Sequence, residues 1–283
     1  SPFSFDITDY FKPAKDQQLW LSVWDPTTDG TQAVGKQNSN PNGIWYTPSS
    51  GIWQSVWLET VHESHITDYN VISNIELGQI QINLQTLNAQ EGDEIEYLIR
   101  SEGNSIARKK GTVNQTVIID IPEFNLWTPD TPFLYDLEIN LIRDLKTIDQ
   151  VQGYFGMRKI SLGKDRTGIT RILLNNKFVF QNGPLDQGFW PDGLYTPPTE
   201  EAMIYDLKVL KSMGFNMLRK HVKVENRRFY YWTDKLGLLV WQDMPNAHFG
   251  LLVENIESPE ESTQQFEKEL KELVNTLDNH PSI

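Results

Sequence analysis

The sequence predicts a multidomain chain, β-rich in its first part and α/β in its last. Three observations carry this reading. Short alternating or β-branched runs recur through about Phe180 ("LWLSVW", "SVWLETV", "IQINLQTL", "EIEYLI", "TVIIDI" and "LYDLEINLI"), with Gly, Pro, Asn and Asp between them. Antiparallel sandwiches have this pattern. After Phe180 the apolar period lengthens to a helical one, and strand-like and helix-like stretches then alternate, the mark of parallel βα units.

Within the β-rich part, "AQEGDEI" and "SEGNS" read as hairpin turns. In the α/β part, "KFVFQNG" reads as the first strand. Thr199 can cap a helix in which Ile204, Leu207, Leu210 and Met213 recur and which ends at Gly214. "FNMLRKH" reads as a buried strand, Asn226 to Leu236 as a helix stopped by Gly237, and "LLVWQDM" as a third strand. Ser258-Pro259-Glu260-Glu261 then starts a helix: Ser258 caps, Pro259 is preset for the first position and Glu261 reaches back to close a capping box. Phe266, Leu270, Leu273, Val274 and Leu277 form its apolar face. No G-x-G-x-x-G follows the first of these strands, so a barrel is favoured over an open doubly wound sheet. A barrel closes with eight units and three are present, so the expectation is an incomplete one.

The chain has 283 residues and a net charge of −13, which argues against a nucleic-acid partner, since phosphate binding needs clustered Lys and Arg. No apolar run reaches membrane-spanning length, so no membrane partner is expected. Cysteine is absent, so neither a disulfide framework nor thiol chemistry is available. No His/Asp/Glu spacing makes a self-contained metal site, and no G-x-S-x-G or H-E-x-x-H motif offers other chemistry. The nine Trp residues either fill sandwich cores or stack on flat apolar faces such as sugar rings.

Four stretches carry a resemblance: "GIWYTPSSGIWQSVWLETV" (43–61), "LWTPDTPFLYDLEI" (126–139), "GYFGMRKI" (153–160) and "NMLRKHVKVENRRFYYWTDKLGLLVWQDMPN" (216–246). Together they resemble glycoside hydrolase family 2, which includes β-galactosidases, β-glucuronidases and β-mannosidases, and most of all a β-galactosidase. The resemblance implies three domains in order. Residues 1–61 would be the closing part of a jelly-roll sugar-binding domain, 62–160 an immunoglobulin-like sandwich, and 161–283 the first three units of a (β/α)8 catalytic barrel. The expectation is therefore a fragment cut at both ends, whose leader region, if any, is not included and whose location stays open.

The resemblance further implies a retaining mechanism with two Glu residues about 5–5.5 Å apart, one protonating the leaving oxygen and one attacking the anomeric carbon. Both are expected beyond Ile283, the acid a short way past "NHPSI". No catalytic residue is therefore assigned within this chain. No cofactor is required, and a divalent cation is left open. What the chain would supply is the pocket wall at the first three strand ends. Asp186 and Gln187 follow the first strand, where Asp186 either contacts sugar or bonds the backbone of "GPLDQG". His221 follows the second, one residue earlier than in the R-x-S-H-Y-P pattern of many members. Arg219 on that strand reads as a buried, paired charge. Trp241, Gln242 and Asp243 end the third, and Asp243 matches an acidic position that contacts substrate or metal in relatives. Trp190 in "GFWPDG" either stacks on sugar or packs its loop. Lys36 and Gln37 match a jelly-roll segment near the pocket.

The leading expectation is a retaining exo-β-glycosidase acting on β-galactosides. Its rivals are a non-catalytic carbohydrate-binding or assembly module and a structural piece of a homo-oligomer, since an incomplete barrel exposes apolar edges.

Overall fold

The computed structural model describes residues 3–27, 29–246 and 260–283. Most of its regular structure is sheet. β1 (His65–Asn74), β2 (Gln79–Leu87) and β5 (Val117–Asp120) form one antiparallel sheet in the order β1-β2-β5. β3 (Glu94–Ser101), β4 (Asn104–Thr112), β6 (Tyr135–Arg143) and β7 (Lys146–Phe155) form a second, in the order β4-β3-β6-β7. Alternate residues of both sheets meet in one core: Ile80, Ile82 and Ile119 from the first pack with Ile95, Ile99, Leu137, Ile139 and Leu141 from the second. The period-two pattern of "IQINLQTL" and "LYDLEINLI" is thus the pattern of a sandwich buried on one face.

The turn at "SEGNS" is a hairpin, with Glu102 and Gly103 both at positive φ between β3 and β4. "AQEGDEI" is not. It turns where expected, with Gln90 N donating to Asp93 Oδ2 at 2.7 Å, but it links β2 to β3, which belong to different sheets. Turn chemistry fixes a reversal of the chain and not the sheet in which the next strand pairs.

The core holds one polar misfit. The hydroxyl of Tyr97 is buried with no hydrogen-bond partner among the described residues, and burial pushes its pKa up to about 12. Tyr97→Phe removes only that oxygen, so it should stabilise the protein by about 1 kcal/mol; a urea midpoint unchanged or lowered would contradict this.

Residues 3–61 depart from expectation. "LWLSVW" and "SVWLETV" form no strands, and Trp20 and Trp24 are 88% and 84% exposed. A β-rich sequence becomes a strand only where a neighbour completes its ladder, and these runs have none among the described residues.

Beyond the sandwich, β8 (Ile160–Lys164), β9 (Thr170–Leu174) and β10 (Lys177–Phe178) form a small antiparallel sheet. "KFVFQNG" therefore does not open the parallel sheet. Asn175 and Asn176, both at positive φ, turn the chain so that Lys177 and Phe178 pair back on β9. The first parallel strand is β11 (Leu185–Asp186), followed by α1 (Glu200–Ser212), β12 (Met217–Lys220), α2 (Arg227–Leu236) and β13 (Leu239–Gln242). β11, β12 and β13 are parallel, with β12 central.

The helix ends follow their signals. Thr199 Oγ1 accepts from Ala202 N at 3.1 Å, Asn226 Oδ1 accepts from Phe229 N at 3.2 Å, and Gly237 closes α2 at φ 73°. Met203 and Leu207 bury the inner face of α1, whereas Met213, expected on that face, is the exposed C-cap. α3 (Glu260–Leu277) buries Leu277 and packs Leu273 on the helix–sheet core, but leaves Leu270 and Val274 exposed. The capping residues Ser258 and Pro259 lie outside the described residues.

Candidate functional site

The C-terminal ends of parallel strands are where open backbone groups and loop side chains converge. Here register places Asp186, Lys220 and Gln242 side by side across β11, β12 and β13. Lys220 is 1% exposed and lies 4.2 Å over the Phe229 ring. It donates to Asp186 Oδ2 at 2.7 Å and Glu225 Oε1 at 3.0 Å. Lys223, 0% exposed, pairs with the same Glu225 oxygen at 2.8 Å and donates to the carbonyls of Gly188 and Tyr195. The Tyr195 ring lies 4.4 Å from its ammonium. Burial pushes Lys223 below the usual lysine range, against the pull of Glu225. Formally the cluster is two cations and two anions, the condition under which buried charge is tolerated.

Gln242 completes this layer by accepting from Tyr230 Oη at 2.6 Å and donating to the Lys223 carbonyl at 2.8 Å. The hydrophobic wall beneath is formed by Phe229, Tyr230 and Leu218.

The opposite face of the sheet carries a second arrangement. Asp243 accepts a two-pronged bond from Arg219, both arms 2.9 Å, and bonds His221 Nδ1 at 2.8 Å. Burial raises the Asp243 pKa, but the hydrogen bonds and charges of Arg219 and His221 outweigh it, so the carboxyl titrates below its ordinary value. Arg219 is paired as expected but not buried: its side chain is 46% exposed, because on β12 it alternates with buried Leu218 and Lys220. Trp241 lies opposite Arg219 in the register, half exposed, its indole N–H donating to Gln181 Oε1.

Asp186 bonds the loop backbone, one of the two roles considered for it, with Oδ1 accepting from Gly188 N at 2.8 Å, while Oδ2 holds Lys220. Gln187 is half-buried, and its Oε1 has no partner among the described residues. Trp190 closes its own loop through backbone bonds to Leu194 of 2.8 and 3.0 Å. Gln37 Oε1 accepts from Ser49 N at 2.7 Å, and Tyr46, whose N–H donates to the Lys36 carbonyl, stacks on Phe189 at 3.8 Å. That stack sets the 33–53 segment against the loop after β11, enclosing a cleft of about 520 Å³ lined by Gln37, Trp53, Asp192, Tyr195 and Glu269.

The buried lysines were not legible as site residues. "KHVKVE" reads as an off-pattern strand end, and the signal, Lys alternating with apolar residues ahead of a lone Glu, acquires meaning only when the carboxylates are placed. Among the described residues no group of three or more acidic or His side chains could hold a metal ion, and no helix is long and apolar enough to cross a membrane.

A family model described as glycosyl hydrolases family 2 matches residues 64–158. A β-galactosidase of Thermoanaerobacter pseudethanolicus is 27% identical over 310 residues, covering 100% of this chain and 37% of the relative. A β-galactosidase of Bacteroides ovatus is 26% identical over 311 residues, covering 99% and 33%. Over residues 64–158, then, this chain matches glycoside hydrolase family 2. It spans about a third of the length of these curated relatives. It shares its fold with a β-glycosidase from Bacteroides vulgatus (TM-score 0.70, 22% identity, 85% of this chain and 31% of the other). The same holds for a β-D-glucuronidase of Dictyoglomus thermophilum (0.68, 20%, 78% and 37%).

Proposed function

We propose that this chain is part of a family 2 retaining exo-β-glycosidase that hydrolyses terminal β-linked sugars, β-galactosides foremost. In this reading residues 1–61 close a jelly-roll domain, 62–160 are an immunoglobulin-like sandwich and 161–283 are the first three units of a (β/α)8 barrel. The observation that carries the reading is the polar cluster at the C-terminal edge of β11, β12 and β13, in a chain whose relatives include β-galactosidases. Asp243, pinned by Arg219 and His221, is an ionised acceptor for a sugar hydroxyl, and Trp241 on the same face offers an apolar surface for a ring. Asp186 and Gln187 extend the polar wall, with Trp190 at its rim. The two carboxylates that perform the chemistry lie outside residues 1–283, and with them in place the hydrolysis needs no organic cofactor.

The test uses the product of the complete gene beside residues 1–283. The complete product should hydrolyse 4-nitrophenyl β-galactoside and the 283-residue chain should not. In the complete product Asp243→Asn should lower kcat/KM by about 100-fold, the cost of misplacing a substrate by about an ångström. Calorimetric heats with galactosides but no turnover would replace this reading with that of a carbohydrate-binding module.

A further inference from the structure

The fully buried carboxylate of Asp234, in the last turn of α2, lies away from the candidate site and is the hub of the contacts between sandwich, helix and parallel sheet. It accepts from three directions: Ser282 N at 2.9 Å, Tyr154 Oη at 2.8 Å and His280 Nδ1 at 2.6 Å. Its backbone carbonyl takes the Trp127 indole N–H at 2.8 Å. Burial and the charge of Asp234 push the Tyr154 phenol far above its ordinary range, so Tyr154 serves as a donor here.

The segment that Asp234 grips, residues 278–283, is held on every side. The Asn279 amide takes the place of a strand residue on the free edge of β1, accepting from Val71 N and donating to Tyr69 O, both at 2.8 Å. Arg158 donates to the carbonyls of His280 and Ile283. Pro281 is buried against Gly156, where an added Cβ would come within 2.9 Å of it. Ser282 Oγ meets Thr233 Oγ1 at 2.9 Å. The Ser282 carbonyl, finally, accepts from Val240 N at 2.8 Å, so the segment runs along the outer edge of β13. Asp243 lies three residues further along the chain from Val240, at the end of that strand.

We propose that Asp234 is a positioning residue: through residues 278–283 it ties the outer edge of β13, and with it Asp243, to the sandwich. A carboxylate is required because three donors converge on it. An amide in its place has one accepting oxygen and turns an N–H toward a donor. The importance given to Asp243 rests on the glycosidase reading, whereas the tie itself does not.

The test is residue-resolved amide exchange and imidazole NMR on the complete protein. In Asp234→Asn the amides of Ser282, Val240 and Val71 should exchange about tenfold faster or more, the equivalent of one charge-assisted hydrogen bond. Ile82 and Ile99 in the sandwich core should keep their protection, and the His221 ring resonances should shift as its bond to Asp243 is disturbed. Gly156→Ala, whose added Cβ would press on Pro281 and on Trp127 while leaving the Asp234 carboxylate in place, should likewise loosen Ser282 and Val240. Unchanged protection at Ser282 and Val240, or equal loss in the sandwich core, would overturn the tie. Loosening at Ser282 with an unmoved His221 would overturn the positioning of Asp243. All of these outcomes are read without a substrate, so they are distinct from any failure of the glycosidase assignment.

Discussion

Glu225→Ala should lower the free energy of unfolding by about 3–5 kcal/mol, among the largest effects expected of a single substitution in this chain. Glu225 is buried and its Oε1 serves two lysines at once. Lys220 keeps Asp186 when Glu225 is removed. Lys223 keeps two carbonyls and the rings of Tyr195, Trp53 and Phe189, none of which carries a formal charge. A fully buried ammonium with no anion costs several kcal/mol whatever the hydrogen bonds around it. The loss arises from the stranded charge and not from the worth of the pair, which gives the prediction its sharper form. Glu225→Ala combined with Lys223→Met should be milder than Glu225→Ala alone, since the methionine fills the aromatic pocket and carries nothing to solvate. Urea unfolding of the two variants measures this. A double variant less stable than the single one would show that Lys223 stabilises the fold through its carbonyl contacts.

The same cluster shows where reading the sequence succeeds and where it stops. The helix termini were legible because each signal acts within one turn: Thr199, Asn226 and Gly237 each satisfy or release backbone groups three or four residues away. Met217–Lys220 and Leu239–Gln242 were legible as strands because both are short runs with apolar residues bounded by such signals. "KFVFQNG" misled because its apolar residues are equally compatible with a hairpin, and only the Asn175-Asn176 turn selects that pairing. Asp186, His221 and Asp243 were picked out by position at strand ends, and the structure puts each in a charged network. Lys220, Lys223 and Glu225 were missed because a buried ion network is a property of two strand ends and the segment after β12 meeting. Nothing within a single window distinguishes a lysine that snorkels to water from one that reaches a carboxylate.

A second large effect is expected at the joint between sandwich and parallel sheet. Trp127→Ala should cost about 3–5 kcal/mol. The indole is fully buried and packs with Leu174, Met217 and Leu239, residues from three different parts of the chain. Its N–H bonds the Asp234 carbonyl, its backbone N–H bonds Met157 O at 2.9 Å, and its carbonyl accepts from Asn175 Nδ2 at 3.0 Å. Truncation empties a space walled by strands whose backbones are held by their own ladders, so little collapse can refill it. Trp127→Phe keeps most of the volume and loses the bond to Asp234, and should cost about 1 kcal/mol of hydrogen bonding beyond its smaller packing loss. The position of Trp127 also predicts the shape of the transition. The sandwich core is formed by its own two sheets and does not include Trp127, so weakening this joint should let the α/β part melt first. Calorimetry of Trp127→Ala should then show two heat-absorption peaks where the unaltered protein shows one. A single peak displaced to lower temperature would mean that the joint is held by the 278–283 segment without the indole.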